Sequence, residues 1–393
     1  MTRYLVVFSI ALIGALAVTP LARRAALRFG IVDNPGGRKA HAAPMPYLGG
    51  LAIYLAFMVF LLGLFARNGT GTDTTPLLQG VAIVVGATLM VALGLVDDRF
   101  ALPPLIKLAG QFIAAVLLFV AGVHFHFNHF PMLDAPVSVL FVLGITNAFN
   151  LLDNMDGLSV GTAAIGCLNF FALALLQPGN KQVIVATMAA ALAGACLGFL
   201  YYNFNPARIF MGDAGSLFLG FMLAVLGLKI NMNGFANLHA VNFFVPIVVL
   251  GVPIFDTSLV VVSRLRRGVS PAQGGRDHTS HRLVLLGLTV REAVMAVYIA
   301  GFGLGLCGIL LTVARLTGGL TMVGLLVALG LAIGYKLEQV YRSRQPAAGH
   351  QLAVPTPMAG APVRNMATRP RDPRATRTTG AAGAVTVPRT KKG

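Results

Sequence analysis

The chain has 393 residues, of which 56% are hydrophobic and 11% charged, with a formal net charge of +17. Soluble domains carry about 25% charged residues, and a chain this apolar could not cover its surface with polar groups. A soluble, disordered or disulfide-scaffold protein is thereby excluded for most of the length, and a multi-span membrane protein remains.

A hydrocarbon core takes about 20 apolar residues per helix. That ruler predicts an all-α polytopic membrane protein with eleven spans: Tyr4–Ala22, Leu48–Ala66, Leu77–Val96, Leu105–Val123, Pro136–Leu152, Ser159–Leu176, Gln182–Phe204, Ser216–Lys229, Val241–Val262, Ala293–Val313 and Leu320–Leu337. The first is not expected to be a signal peptide, because its stronger positive flank, Arg23 and Arg24, follows the apolar run. With the N-terminus outside, the inner segments hold 25 of the 30 Lys and Arg residues. The positive-inside bias therefore predicts an outer N-terminus and a cytoplasmic C-terminus. The transmembrane unit covers 1–344. The tail, 345–393, holds eight basic residues against Asp372 and is rich in Pro, Ala, Thr and Gly. It has little to bury, so a disordered basic cytoplasmic tail is expected, either simply solvated or touching anionic headgroups. No aromatic residue interleaves its charges, so nucleic acid is not an expected partner. Cys167, Cys196 and Cys307 each sit in an apolar run without a C-x-x-C spacing, which supports neither zinc nor a redox dithiol.

With only 13 acids in the chain, their positions are informative. Asp97, Asp98, Asp153, Asp156, Asp213 and Asp277 all fall at inner span ends or in inner loops. Carboxylates gathered on a positive face suit a metal and a phosphorylated ligand, whereas isolated ones would only cap helices. In chain order, the inner loop around Arg38, Lys39 and His41 offers cations to an anion, although the positive-inside bias alone would also place them there. Asp97-Asp98 ends one span, and like charges this close need a cation to stay ionised; Lys107 opens the next span and can supply it or hold a phosphate. His124, His126 and His129 read as exposed polar residues of an outer loop. The segment Asn147, Asn150, Asp153, Asp156 repeats a polar residue every three positions. Asn147 and Asp156 would face opposite ways on a straight helix, so a break near Asp153–Gly157 is predicted, lining a cavity. In Phe210-Met-Gly212-Asp213-Ala-Gly215-Ser216, the glycines admit a close ligand, Asp213 can ligate a cation, and Ser216 can cap the following helix. The loop holding Arg276, Asp277, His278, His281 and Arg282 offers guanidinium forks to a diphosphate, and two His without a paired Cys or Glu do not complete a zinc site.

Four of these motifs, Asp97-Asp98, Asn147 to Leu158, Phe210 to Ser216 and the His278 loop, in this order and on one membrane face, resemble the polyprenyl-phosphate N-acetylhexosamine-1-phosphate transferases over roughly Asp33 to Leu337. The branch looks like the one using UDP-N-acetylglucosamine. The phospho-N-acetylmuramoyl-pentapeptide branch has a different loop with three His. The resemblance implies transfer of a HexNAc-1-phosphate from a UDP-sugar to a polyprenyl phosphate, releasing UMP, as the first membrane step of a cell-envelope polysaccharide pathway. It implies a bacterial inner membrane with the active site on the cytoplasmic face, and allows a homodimer. Asp213 and Asn150 would hold Mg²⁺, with Mn²⁺ as a substitute. Asp97 and Asp98 would position or deprotonate the acceptor phosphate, with Asp153 among the catalytic carboxylates. Lys107 would hold that phosphate, Asp156 and Phe210 would meet the uracil, and Arg276, His278 and His281 would grip diphosphate and sugar. Lys39, Asn147 and Arg282 complete the substrate contacts. Asp256 matches a family pattern without an assigned chemistry. The chain departs from the family pattern twice: Asp153-Asn154 replaces Asp-Gly, and His278-Thr-Ser280-His281 replaces His-x-His-His.

A multi-span transporter is the competing class. It predicts polar motifs repeated between halves and acids at mid-membrane, and the sequence shows no such repeat and acids mostly at one face.

Overall fold

A computed structural model describes residues 1–33, 44–68, 75–127, 130–177, 182–230 and 243–344. The tail 345–393, and with it the expected disorder, lies outside the described residues. The described chain is a helical membrane protein: α1 (Thr2–Arg28), α2 (Gly49–Asn68), α3 (Thr75–Phe100), α4 (Pro104–Val120), α5 (Asp134–Leu152), α6 (Leu158–Leu176), α7 (Val183–Asn203), α8 (Gly212–Lys229), α9 (Phe244–Val249), α10 (Gly251–Arg266), α11 (Thr279–Leu285), α12 (Val290–Val313) and α13 (Leu316–Arg344). Eight of the described helices are long and apolar enough to cross a membrane, and α2 and α4 contribute shorter apolar runs. A two-stranded ladder, β1 (Val32–Asp33) with β2 (Met45–Pro46), pairs Val32 with Pro46 and Asp33 with Met45. The all-helical expectation did not include it.

Three local readings change. The predicted span Val241–Val262 is broken at Leu250, between α9 and α10. Pro253 has no N–H to offer the carbonyl of Val249, so an unbroken ladder cannot pass this point. Helix α8 begins at Gly212, four residues before the predicted start. Only Gly212 there has a left-handed φ, of +72°, while Gly215 is helical. Ser216 is therefore a first-turn residue and not a cap. Helix α11, of seven residues, lies in what reads as loop.

α8 is the hub of the fold. Its residues from Ala214 to Leu228 are all buried, and it packs against α2, α3, α5 and α6. Close approach explains the glycines facing it. A Cβ on Gly94 of α3 would sit 2.3 Å from the Ala214 backbone, and one on Gly50 of α2 would sit 2.2 Å from Gly215 N. In a membrane such approach replaces the hydrophobic drive, since lipid is as apolar as leucine. The hub thus fixes the N-terminus of α8 against the ends of α3 and α5, where the acids are.

Candidate active site

The polar residues gather at one end of the bundle, where α3, α5 and α10 finish and α4, α8 and α11 begin. Helix α3 turns back through Ala101, whose φ is +48°. Asp97 Oδ1 accepts from Leu102 N at 2.7 Å. That turn brings Lys107 of α4 beside Asp97, with Nζ 2.7 Å from Asp97 Oδ2 and 3.2 Å from Asp213 Oδ2. Asp98 does something different. Its carboxylate accepts from the backbone N–H groups of Asp213 at 2.8 Å and Ala214 at 3.3 Å. It closes the positive N-terminus of α8, a position that favours an anion. Gly212 must be glycine here, since a Cβ would stand 2.6 Å from Asp98 Oδ2 on a left-handed backbone.

The predicted helix break is present. α5 ends at Leu152, α6 begins at Leu158, and Gly157 turns the chain with φ +77°. Asn203 Oδ1 accepts from Gly157 N at 3.1 Å, and Tyr298 O–H donates to Gly157 O at 2.6 Å, so the turn is held from both sides. Asn150 donates to Asp213 Oδ1 and Ser216 Oγ, both at 2.9 Å. Its own Oδ1 has no hydrogen bond among the described residues. Asp153 also accepts none among the described residues. Burial, followed by the charges of Asp213, Asp98 and Asp156, pushes its pKa up to about 8. Asp156 Oδ2 accepts from Asn205 Nδ2 at 3.0 Å and Ala207 N at 2.9 Å, which ties the turn to the segment after α7.

Phe210 is fixed through its backbone. Its N–H donates to Pro46 O at 2.8 Å, and its carbonyl accepts from Gly49 N at 3.0 Å. Its ring lies 6.1 Å from that of Tyr47. Burial and the neighbouring Asp33 carboxylate raise the Tyr47 phenol well above its usual range.

The α10–α11 loop forms a second polar layer. Arg264 grips Asp277 through two bonds, Nε to Oδ2 at 3.0 Å and Nη2 to Oδ1 at 2.7 Å, and Arg267 adds a third at 2.5 Å. Burial alone would raise Asp277, but these two guanidinium groups outweigh it and hold the carboxyl at about 2. His278 Nδ1 lies 2.8 Å from Asp256 Oδ2. His281 follows one turn on, with ring centroids 6.1 Å apart. Burial, with the charges of His278 and Arg276, depresses His281 to about 4. Arg276 is exposed at the rim.

Two expected substrate contacts are engaged elsewhere. Asn147 is paired with buried Gln111 of α4, donating to its Oε1 at 2.5 Å and to Leu143 O at 2.8 Å. Arg282 is fully buried, bonded to Glu338 Oε2 at 2.7 Å and to Asp277 O at 2.7 Å, and lies over the Tyr341 ring. The structure gives it a role in holding α11 to α13, because no part of its guanidinium reaches solvent. Lys39, with Arg38 and His41, lies outside the described residues. Beyond the Gln111–Asn147 pair, α4 and α5 enclose an apolar groove of about 470 Å³ lined by Phe112, Val116, Phe119, Val139, Leu140 and Leu143.

Gln111, Tyr47, Asp256 and Glu338 belong to this end but were not singled out as functional from sequence. For Asp256 and Glu338, a charge inside or beside an apolar run was the available signal. Nothing in the sequence marks Gln111 or Tyr47. The two departures from the family pattern meet in space: Ser280 Oγ donates to Asn154 Oδ1 at 2.7 Å.

Residues 81–231 match the model for glycosyl transferase family 4. The chain is 34% identical over 336 residues to a probable undecaprenyl-phosphate N-acetylglucosaminyl 1-phosphate transferase of Bacillus subtilis (strain 168), covering 83% of this chain and 90% of that one. It is 37% identical over 303 residues to a decaprenyl-phosphate N-acetylglucosaminephosphotransferase of Mycolicibacterium smegmatis, covering 70% and 73%. An undecaprenyl-phosphate alpha-N-acetylglucosaminyl 1-phosphate transferase of Yersinia pestis is 26% identical over 336 residues, covering 82% and 88%.

Proposed function

This chain belongs to the polyprenyl-phosphate N-acetylhexosamine-1-phosphate transferase family, and we propose that the carboxylate-lined end of its bundle is where the transfer takes place. The protein is a transferase that passes N-acetylglucosamine 1-phosphate to a polyprenyl phosphate. In our reading the donor is the UDP-sugar. The site faces the cytoplasm across a bacterial inner membrane, with eleven crossings, the N-terminus outside and the C-terminus inside. The observation that carries this assignment is Lys107, a single ammonium of α4 held between Asp97 and Asp213.

A divalent cation suits the donor set. The groups at hand are all oxygens, which select hard cations such as Mg²⁺ or Mn²⁺. Asp153 and the Asn150 carbonyl oxygen have no hydrogen-bond partner among the described residues, and Lys107 pairs with Asp97 and Asp213 but not with Asp98 or Asp153. Among the described residues no three acidic, His or Cys side chains form a ready ligand set for one ion. That agrees with Mg²⁺, which is held by one or two carboxylates together with substrate phosphates and water. Asp213, Asn150 and Asp153 would hold it, and when bound it neutralises diphosphate charge.

Phosphoryl transfer depends on positioning and charge more than on covalent help from the protein. Lys107 holds the acceptor phosphate, and Asp97 orients Lys107. Asp98 fixes the N-terminus of α8 and with it Asp213. The acceptor phosphate oxygen attacks the sugar-bearing phosphorus, a new P–O–P bridge forms, and the bond to UMP breaks in the same displacement. His278 and His281, with Arg276 at the rim, close over the diphosphate and sugar, while Asp156 and Phe210 lie toward the base. The test is incubation of purified protein with labelled UDP-N-acetylglucosamine, polyprenyl phosphate and Mg²⁺. Label in lipid and release of UMP are expected; neither appearing would overturn the reading. A cysteine placed at Gly275 should react only with cytoplasmic reagent, and labelling from outside would reverse the orientation.

A further inference from the structure

Helix α11 has seven residues, too short to be stable by itself, yet it carries His281 and follows directly on His278. Its position therefore depends on its side-chain attachments. Asp256 accepts from Thr279 N at 2.6 Å at one end, and Glu338 holds Arg282 at the other. Both of these link α11 to α10 and α13. The bond from Ser280 Oγ to Asn154 Oδ1, at 2.7 Å, is different, because it reaches the carboxylate turn after α5. Both partners are firmly placed. Ser280 is 1% exposed. Asn154 donates its amide to Leu151 O at 2.9 Å and its backbone N–H to Leu152 O at 2.8 Å. Asn154 adjoins Asp153, and Ser280 adjoins His281. One bond thus sets the gap between the unpaired carboxylate on one side and the imidazole on the other.

We propose that Ser280 and Asn154 form a latch that positions the histidine helix against the carboxylate turn, and that the latch serves the nucleotide-sugar donor and not the lipid acceptor. The inference rests on the transferase reading above. The selectivity follows from the connections. Lys107, which holds the acceptor in that reading, and Asp97, which orients it, are bonded to each other, to Leu102 N and to α8, and share no bond with α11 among the described residues. Of the groups placed on the donor, His278 and His281 lie on the α11 side of the latch, and Asp153 and Asp156 on the turn side. Losing it lets these segments separate, and misplacement on the scale of 1 Å is enough to weaken binding and transfer. The two partners act as one unit, so removing either should remove the whole effect.

The experiment is a double-mutant cycle on the full-length protein in lipid nanodiscs, with KM for donor and for acceptor measured separately. Ser280→Ala and Asn154→Ala are each expected to raise the donor KM on the order of tenfold, the worth of one net hydrogen bond. The acceptor KM should stay within about twofold of wild type. The double variant should be no worse than the more impaired single one. Effects that multiply in the double variant, donor and acceptor KM rising together, or singles indistinguishable from wild type would each overturn the latch. A wild type that labels no lipid fails the transferase reading and the latch with it. An active wild type with independent variants fails the latch alone.

Discussion

Asp256 and His278 form a sealed pair: the carboxylate Oδ2 lies 2.8 Å from the imidazole Nδ1, and their side chains are 2% and 4% exposed. The other carboxylate oxygen is taken by Thr279 N, so the acid cannot rotate away from the ring. With the Nδ1–H directed at Asp256, the Nε2 edge is the part of His278 left for a ligand. Asp256→Asn keeps the shape but supplies an N–H where the ring needs an acceptor. A fall in kcat/KM of about 10- to 100-fold is expected, the cost of one unsatisfied buried donor. Because Asp256 acts through His278, the double variant Asp256→Asn, His278→Ala should be no slower than His278→Ala. Multiplied losses would show that Asp256 acts independently.

The Lys107 bridge gives a second prediction. Lys107→Met leaves Asp97 and Asp213 close together with no cation between them, so acceptor binding should weaken by at least about tenfold as one charge-assisted contact is lost. Asp213→Asn should abolish transfer while the protein remains folded, and EDTA should do the same to wild type. Full turnover in EDTA, or in Asp213→Asn, would remove the cation from the site.

Much of this end of the molecule was legible from sequence because membranes make acids conspicuous. Asp97, Asp98, Asp153, Asp156 and Asp213 stood out against apolar runs, and the opposed faces of Asn147 and Asp156 required the break that the structure shows. Pairings were not legible. Asn147 and Arg282 looked like ligand contacts because polar residues near a motif carry no mark of what they touch. Gln111 of α4 and Glu338 of α13 use them up, from positions 36 and 56 residues away. Helix α11 is invisible in the sequence because seven residues give too little periodicity to see. The early start of α8 was hidden by two glycines that look alike in sequence and differ in φ.

Glu338 leads to a third prediction. It holds Arg282 at 2.7 Å and Arg342 at 2.9 Å, and Tyr341 stacks under Arg282 and Arg267. Removing one partner of a buried ion pair costs about 3–5 kcal/mol. Glu338→Gln should therefore lower the melting temperature markedly and loosen α11. Truncation after Gln345 leaves this network whole and should leave turnover near wild type. A stable truncation with a large loss of activity would give the tail a specific role.

The last prediction concerns acid. His281 is held at about 4 by burial and by the charges of His278 and Arg276, with Asp256 and Asp277 pulling the other way. An unfolded histidine titrates near 6.5. Between these values the unfolded chain takes up a proton that the folded chain refuses, so the contribution of His281 to stability falls as pH drops from about 6.5 towards 4, while Asp153, raised to about 8, contributes in the opposite sense. Asp277, held at about 2, begins to lose its own contribution at about pH 5, in wild type and in a His281 variant alike. From pH 6.5 to 4 wild type should lose stability relative to His281→Gln, and below pH 4 the two should run in parallel. The chain has no tryptophan, so melting is followed by helical circular dichroism. If wild type and His281→Gln lose stability in parallel from pH 6.5 to 4, His281 is protonated in the folded protein and its place between His278 and Arg276 must be redrawn.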